Sequence, residues 1–535
     1  MKQAKIKSPL FLLLIVSILI RGAVLFSNPD TFNDDPDAYY ALATNWEEYG
    51  VFGTGSLPTA FRPPLYPALL KLLTPLQTRE ESFKNSGQDR EIENSRSRSP
   101  FRTDGFKAFF YKNLALSPTA SIILLHWILG VATVFLTWMF ARNCGLPDAY
   151  AFWAALLVVC DPILLQQSRL IMTETLAAFF TALLLCATSF VVKKRVGFMS
   201  FVAYGTLGVF FGLSALCRPT FYLFVAFALT NLALIEFIPC KSPEINPQAS
   251  NSPEVPPAPE GVASSLRRTG ITLLRLVCFV LGLALAVVPW GYRNYKIFGN
   301  PIVTTTHGGY TLYLANNPDL YSHYKTESAL SLWDPSSFHT KRLQAYGEAA
   351  ATANIKINSL DEELFQNVWN KEQALNTINA NPHVFAYSTW IRICELWRVL
   401  PHDVRNIQTK KSLSSLDAQT SGAMTNRVDR LARYAVASFY CIEFLILLIG
   451  IFQVVLLNRR HKTNRSLKEL LSSPYIWGIW LILSIQIPHL FYWTNMRMRA
   501  PIQVALPVIL LGLIYRITTK TESTRMKIPY DEQKR

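Results

Sequence analysis

Apolar runs of membrane-crossing length recur along the whole chain and constrain its fold before anything else does. They are Phe11 to Phe26, Ser121 to Phe140, Tyr150 to Leu165, Thr173 to Val192, Phe201 to Leu216, Phe221 to Ile238, Ile271 to Trp290, Tyr434 to Leu457, Tyr475 to Trp493 and Pro501 to Ile514. Each approaches the roughly 17–25 residues that a membrane helix needs, the shorter ones by generous boundaries. In hydrocarbon every backbone N–H and C=O must be satisfied inside the segment, so helices are the expected form. The pattern predicts an all-α polytopic membrane protein of about ten or more transmembrane helices, with a loop or domain region on its outer face. The first run follows Lys2, Lys5 and Lys7 as a signal peptide would, but no A-x-A-like site comes after Phe26. It is read as a retained helix.

Composition agrees. Of 535 residues 50% are hydrophobic and 16% charged, which excludes a disordered chain. Mean hydropathy is +0.20, high for a single soluble domain of this length. Lys and Arg number 52 against 36 Asp and Glu, a net +16. That excess has three candidate causes: nucleic acid, a membrane topology signal or an anionic substrate. With the N-terminus inside, the crossings put Arg142, Lys193–Lys194–Arg195, Lys241 to Arg268, Arg459 to Lys468 and the tail with Lys520, Arg525 and Lys527 on the inner side. The positive-inside rule asks for that distribution. No basic stripe is interleaved with exposed aromatics, so nucleic acid is not an expected partner.

The expected organisation is a transmembrane module over 1–290, an outer region over 291–433, transmembrane helices over 434–517 and an inside tail over 518–535. Within the first module lie an outer acidic loop (27–60), a juxtamembrane helix (63–76), a polar insertion (77–103) and a Pro-rich inside linker (241–261). A helix is expected from Asp361 to Ala380. Eight cysteines without a C-x-x-C pair indicate neither a disulfide framework nor a zinc site.

Unusual polar residues gather on the outer side. Asp35-Pro36-Asp37 has two readings: a helix start with Asp35 as N-cap and Pro36 at N1, or a carboxylate placed as a general base. Arg62 opens a Pro-stiffened turn. Arg169 and Glu174 flank the outer end of a helical hairpin, and Arg218-Pro219 occupies the next outer junction. Ionisable groups near a membrane are either functional or snorkelling to the interface. Arg293-Asn294 follows Pro289-Trp290, and Thr304 to Tyr310 contains a Gly-Gly pair that is weak evidence for phosphate binding. Arg497 and Arg499 break the positive-inside tendency, which argues for an anionic partner at that boundary.

In this order the motifs resemble those of polytopic GT-C glycosyltransferases of the family-39 type, related to protein O-mannosyltransferases and bacterial aminoarabinose transferases. The series is Asp35-x-Asp37-x-Tyr39, Ala43-x-Asn45, Gly50, Arg62-x-Pro64-x-Tyr66-Pro67, Thr173-Glu174, Arg218-Pro219, Pro289-Trp290-x-x-Arg293-Asn294, Gly308-Gly309, Asn316-Asn317, the helix from Asp361 and Arg497-x-Arg499-x-Pro501. The insertion at 77–103 departs from that pattern. The resemblance implies a GT-C fold and transfer, with inversion, from a polyprenyl-phosphate sugar to a glycan, lipid or protein acceptor. It implies Asp35 as the base, with Asp37 second. It also implies that Arg62, Arg218, Arg293, Asn294, Arg497 and Arg499 bind the donor phosphate or sugar, and that Glu174 pairs with an arginine or binds sugar. The implied setting is a bacterial inner membrane with the site on the outer face, among membrane lipids. No cofactor is read from the residues, and a divalent metal is left open. A lipid-linked sugar transporter and a non-catalytic scaffold are the competing readings; internal repeats, which would favour transport, are not seen. Sugar, acceptor identity and polyprenol length leave no trace in the residues.

Overall fold

The computed structural model describes residues 7–73, 117–192, 197–238, 262–327, 331, 333–401, 420–461 and 467–525. The polar insertion at 77–103, the linker at 241–261, the basic triplet at 193–195 and the end of the tail lie outside these residues.

The helices fall on the apolar runs. They are α1 (Lys7–Phe26), α2 (Tyr39–Tyr49), α3 (Leu65–Leu73), α4 (Pro118–Asn143), α5 (Asp148–Cys160), α6 (Pro162–Gln167), α7 (Glu174–Val191), α8 (Phe198–Cys217), α9 (Phe221–Phe237) and α10 (Val262–Phe298). The outer region contributes α11 (Gly308–Ala315), α12 (Pro318–Thr326), α13 (Ser336–Thr352), α14 (Leu360–Ala380) and α15 (Pro382–Leu396). There follow α16 (Thr420–His461), α17 (Leu467–Leu471), α18 (Tyr475–Gln486) and α19 (Leu506–Arg525). A two-stranded ribbon, β1 (Gly53–Thr54) antiparallel to β2 (Leu57–Pro58), is the only sheet among the described residues.

Seven described helices (α1, α4, α7, α8, α10, α16 and α19) are long and apolar enough to cross a membrane, and α5, α9 and α18 are shorter apolar helices. The chain is an integral, multi-pass membrane protein. Two runs are broken. Asp161 interrupts the run from Tyr150 by turning its carboxylate onto the Leu164 amide at 2.8 Å, which caps α6. The run to Trp493 stops at Gln486, and short 3-10 turns carry the chain from Pro488 to Val504. Irregular backbone at such depth must be wrapped in protein. Here Arg499 is fully buried and donates to the Leu396 and Arg398 carbonyls at 3.1 and 2.7 Å.

Two expected boundaries shift. Helix α10 runs through Pro289 and past Trp290 to Phe298, across the expected boundary at 291. Helix α16 starts at Thr420, well before Tyr434. Both helices continue beyond their apolar runs, and hydrophobicity marks only the apolar part of such a helix. The expected helix from Asp361 is α14, capped by Ser359, whose Oγ accepts from the Glu362 amide, while the Glu362 carboxylate accepts from the Asn358 amide.

Small residues permit the tightest helix pair. A Cβ at Gly208 would collide with the Phe279 carbonyl, and one at Gly282 with the Gly205 carbonyl, so α8 and α10 touch backbone to backbone. Arg21, inside the first apolar run, is buried and donates to the Val158 carbonyl at 3.0 Å. Gly130 leaves room for it, since a Cβ there would sit 2.8 Å from its Nη1.

Gly282→Leu is expected to force α8 and α10 apart and cost about 3 kcal/mol, read as a lower thermal unfolding temperature in detergent. Gly270→Ala, with open space around it, is the control and should be neutral or slightly stabilising.

Candidate active site at one end of the helical bundle

The acidic loop is built on α2. Tyr39, Leu42 and Ala43 form its buried face at helical spacing. The helix begins at Tyr39, after Ala38 in the left-handed conformation (φ 59°), so Asp35 and Pro36 are not the N-cap and N1 residues that local sequence suggests. Asp35 still caps the helix, from further back: its two oxygens accept from the Tyr39 amide at 2.8 Å and the Ala41 amide at 2.9 Å. Local rules place a cap one residue before the helix, and the left-handed Ala38 is what lengthens the reach. Burial raises the Asp35 pKa above the ordinary carboxylate value; the Ala41, Tyr39 and Tyr40 amides oppose the rise, and neighbouring Asp37 adds to it.

Beyond α2 the chain turns at Gly50 (φ 70°) into the β-ribbon. Asn45 staples this ribbon, donating to the Val51 and Gly55 carbonyls and accepting from the Gly55 amide. The ribbon delivers Arg62, whose Nη2 lies 2.9 Å from Asp37 Oδ1. The Arg62 guanidinium also lies over the Tyr39 and Phe61 rings, at 5.6 and 5.3 Å.

A second charged group faces this pair. Glu174, first residue of α7, is buried. Its Oε1 lies 3.8 Å from Arg218 Nη1 and 3.9 Å from Arg497 Nε. Their other guanidinium nitrogens approach thioether sulfurs, Arg218 at Met498 and Arg497 at Met172, 3.1 and 3.2 Å away. These ion pairs are long, and among the described residues Glu174 Oε2, Arg218 Nη1 and Arg497 Nε have no hydrogen-bond partner. The buried Tyr39 phenol stands within electrostatic reach of Arg62, Asp37, Glu174 and Arg218, which ties the two clusters into one site. Burial, its largest influence, raises the pKa of that phenol, so it stays protonated at neutral pH.

The structure thus brings together Asp35, Asp37, Arg62, Glu174, Arg218 and Arg497. It sets three other expected residues apart. Arg293 donates to the Thr59 and Phe52 carbonyls at 2.7 and 2.9 Å and to Asn294 Oδ1 at 2.7 Å, and Asn294 donates to the Ile302 carbonyl at 2.6 Å. These two bolt the ribbon onto the end of α10. Arg499 turns into the bundle, its guanidinium 4.2 Å from the centre of the Tyr440 ring, near Asp161. The Gly308-Gly309 pair opens α11, and the Gly309 amide donates to Asn367 Oδ1 at 2.8 Å. A Cβ at Gly309 would strike the Asn367 carbonyl, so the glycine serves packing.

Other residues of the site are not among the candidates singled out by sequence. Tyr66 OH and His126 Nε2 are 2.8 Å apart, and His126 Nδ1 is 2.7 Å from the Ser168 carbonyl. A carbonyl only accepts, so Nδ1 carries the proton and Tyr66 donates to Nε2. Glu363 is the second bolt on the loop, accepting from Thr59 Oγ1 (2.7 Å), the Ala60 amide (2.9 Å) and Thr306 Oγ1 (2.5 Å). Tyr66 falls within the quoted motifs and Glu363 within the quoted helix from Asp361, whereas His126 belongs to no motif. Among the described residues no group of three or more His, Cys, Asp or Glu is placed to hold a metal ion.

A polytopic helical membrane protein with a carboxylate–guanidinium site at one end of its bundle is the class these observations define. Within it, residues 111–237, which include Glu174 and Arg218, match the family model of dolichyl-phosphate-mannose-protein mannosyltransferase. That match agrees with the family-39 resemblance. No curated protein matches the chain. Among solved structures it is similar to the archaeal oligosaccharyltransferase AglB from Archaeoglobus fulgidus, in complex with an inhibitory peptide and a dolichol-phosphate: 12% identity, 96% of this chain, 51% of that chain and a TM-score of 0.43. It is also similar to ArnT from Cupriavidus metallidurans bound to undecaprenyl phosphate: 13% identity, 95% of this chain, 79% of that chain and a TM-score of 0.35. The chain spans about half the length of the oligosaccharyltransferase.

Glu363→Ala removes three acceptor contacts at once. Each donor left unsatisfied costs about 1–3 kcal/mol. Faster amide exchange at residues 52–62 and 304–309 is expected, with the transmembrane helices unchanged; equal exchange in both proteins would contradict the bolt.

Proposed function

We propose that the protein is a membrane glycosyltransferase that moves a sugar from a polyprenyl-phosphate donor to an acceptor hydroxyl, with inversion. The observation that carries this reading is Glu174 buried between Arg218 and Arg497, beside an acidic loop whose own arginine is paired. The family-model match over this segment supports it. Guanidinium groups held only loosely by a carboxylate can release it for a phosphate, which accepts more and stronger hydrogen bonds.

In the reaction the acceptor oxygen attacks the anomeric carbon as the bond from that carbon to the phosphate oxygen breaks. The acceptor proton passes to Asp35, and the polyprenyl phosphate leaves as an anion. The Asp35 oxygens accept from backbone amides of the first turn of α2, and a carboxylate has further lone pairs for that proton. Arg218 and Arg497 stabilise charge growing on the phosphate. Asp37 holds Arg62 in place and is the second candidate base. Arg293, Asn294 and Arg499 support the site's framework in this reading. The inferred setting is a bacterial inner membrane with the site facing outward.

Asp35→Asn is expected to reduce sugar transfer from labelled polyprenyl-phosphate monosaccharides by about 100-fold or more while donor binding persists. Full activity in that variant would remove the base assignment. Activity of the wild type should fall as pH drops through the raised Asp35 pKa, because protonation removes the base. Arg218→Gln should instead weaken retention of polyprenyl phosphate about tenfold. Assays with EDTA or added Mg2+ test whether a divalent cation shares the phosphate's charge.

A further inference from the structure

A file of aromatic and cationic side chains leads away from the Asp37–Arg62 pair, and the reaction above does not use it. The Phe61 and His307 rings meet edge to face at 4.4 Å, and His307 and Tyr310 lie 5.3 Å apart. Tyr310 and His339 are nearly parallel, 15° apart, with centroids 6.2 Å apart. The Arg342 guanidinium lies 5.0 Å from the centre of the Tyr310 ring. Burial pushes the His307 pKa down to about 3, with Arg62 adding to the effect, so His307 contributes a neutral ring.

Arg342 is the unusual member. Its Nε and Nη1 are buried without an acceptor. Its electrostatic neighbours are three phenols, Tyr310, Tyr313 and Tyr346. Among the described residues no carboxylate lies within ion-pair distance of it, whereas adjacent Lys341 sits 2.8 Å from Asp319. A guanidinium partly withdrawn from water and given no counter-charge is costly, and an incoming anion reduces that cost. The surroundings are firm. Gly309 is tied to Asn367, the Trp493 amide donates to the Thr311 carbonyl at 3.3 Å, and Tyr346 packs edge-on against Trp369 at 5.6 Å. Flat rings on a fixed frame suit the C–H faces of a sugar, and the cation beside them suits its charge.

We infer that Arg342, with the Tyr310 and His339 rings, forms the acceptor subsite and takes an anionic sugar, one carrying a carboxylate or a phosphate. The acceptor role rests on the transferase reading, whereas sugar binding does not. Arg62 and His307 continue the subsite toward the acidic loop. Saturation-transfer NMR on the full chain in detergent micelles tests this with glucuronate, glucose 6-phosphate, glucose and inorganic phosphate as probes. Signals are expected from both charged sugars, at least tenfold weaker from glucose, lost in Arg342→Gln, retained in part in Arg342→Lys and intact in Asp35→Asn. Tyr310→Ala and His339→Ala should each weaken the charged-sugar signals several-fold, which keeps the test available if Arg342→Gln does not fold. Equal signals from glucose, undiminished charged-sugar signals in Arg342→Gln or complete displacement by equimolar phosphate would overturn the assignment. Charged-sugar binding in a protein that transfers no sugar would overturn the transferase reading alone.

Discussion

A carboxylate buried at the end of an apolar helix is costly unless cations stand beside it. Glu174 meets that requirement with Arg218, from the junction of α8 and α9, and Arg497, from the 3-10 turns before α19. Three segments distant in sequence are thereby drawn to one end of the bundle. The buried Tyr39 phenol links them to the first loop, so the acidic residues and the arginines share one electrostatic environment. The contacts at Glu174 are long and incompletely hydrogen-bonded, as suits groups that exchange partners when an anion arrives.

The first loop carries little regular structure, and its position comes from bolts supplied by other elements. Arg293 holds the ribbon by the Phe52 and Thr59 carbonyls, and Glu363 holds the residues just after it. Asn45 keeps the ribbon folded from within. A charged residue near an active site is thus employed in either of two ways. Arg218 and Arg497 face a carboxylate loosely, whereas Arg293 and Arg499 donate to backbone carbonyls and serve the framework.

Much of the architecture was legible without coordinates. The apolar runs correspond to the apolar helices of the bundle, because hydrophobic length is a local property. The helix from Asp361 could be read locally for the same reason. Reading failed where helices outlast their apolar runs, at Phe298 and Thr420, and where a run is broken by irregular turns after Gln486. Asp35 shows a finer limit: its capping role is real, but the left-handed Ala38 moves the helix start three residues along.

The residues by themselves determined a multi-pass helical membrane protein with acids and arginines concentrated at one set of loops, because transfer into lipid is decided segment by segment. Only the tertiary structure decided which of those charges meet. It joined Arg62 to Asp37 and both Arg218 and Arg497 to Glu174, turned Arg499 into the bundle and made Arg293 a bolt. It also left Arg342 among tyrosines, with no carboxylate at ion-pair distance among the described residues. The physical reason is that an ion pair is worth what its burial and distance make it, and both are set by packing between segments far apart in the chain.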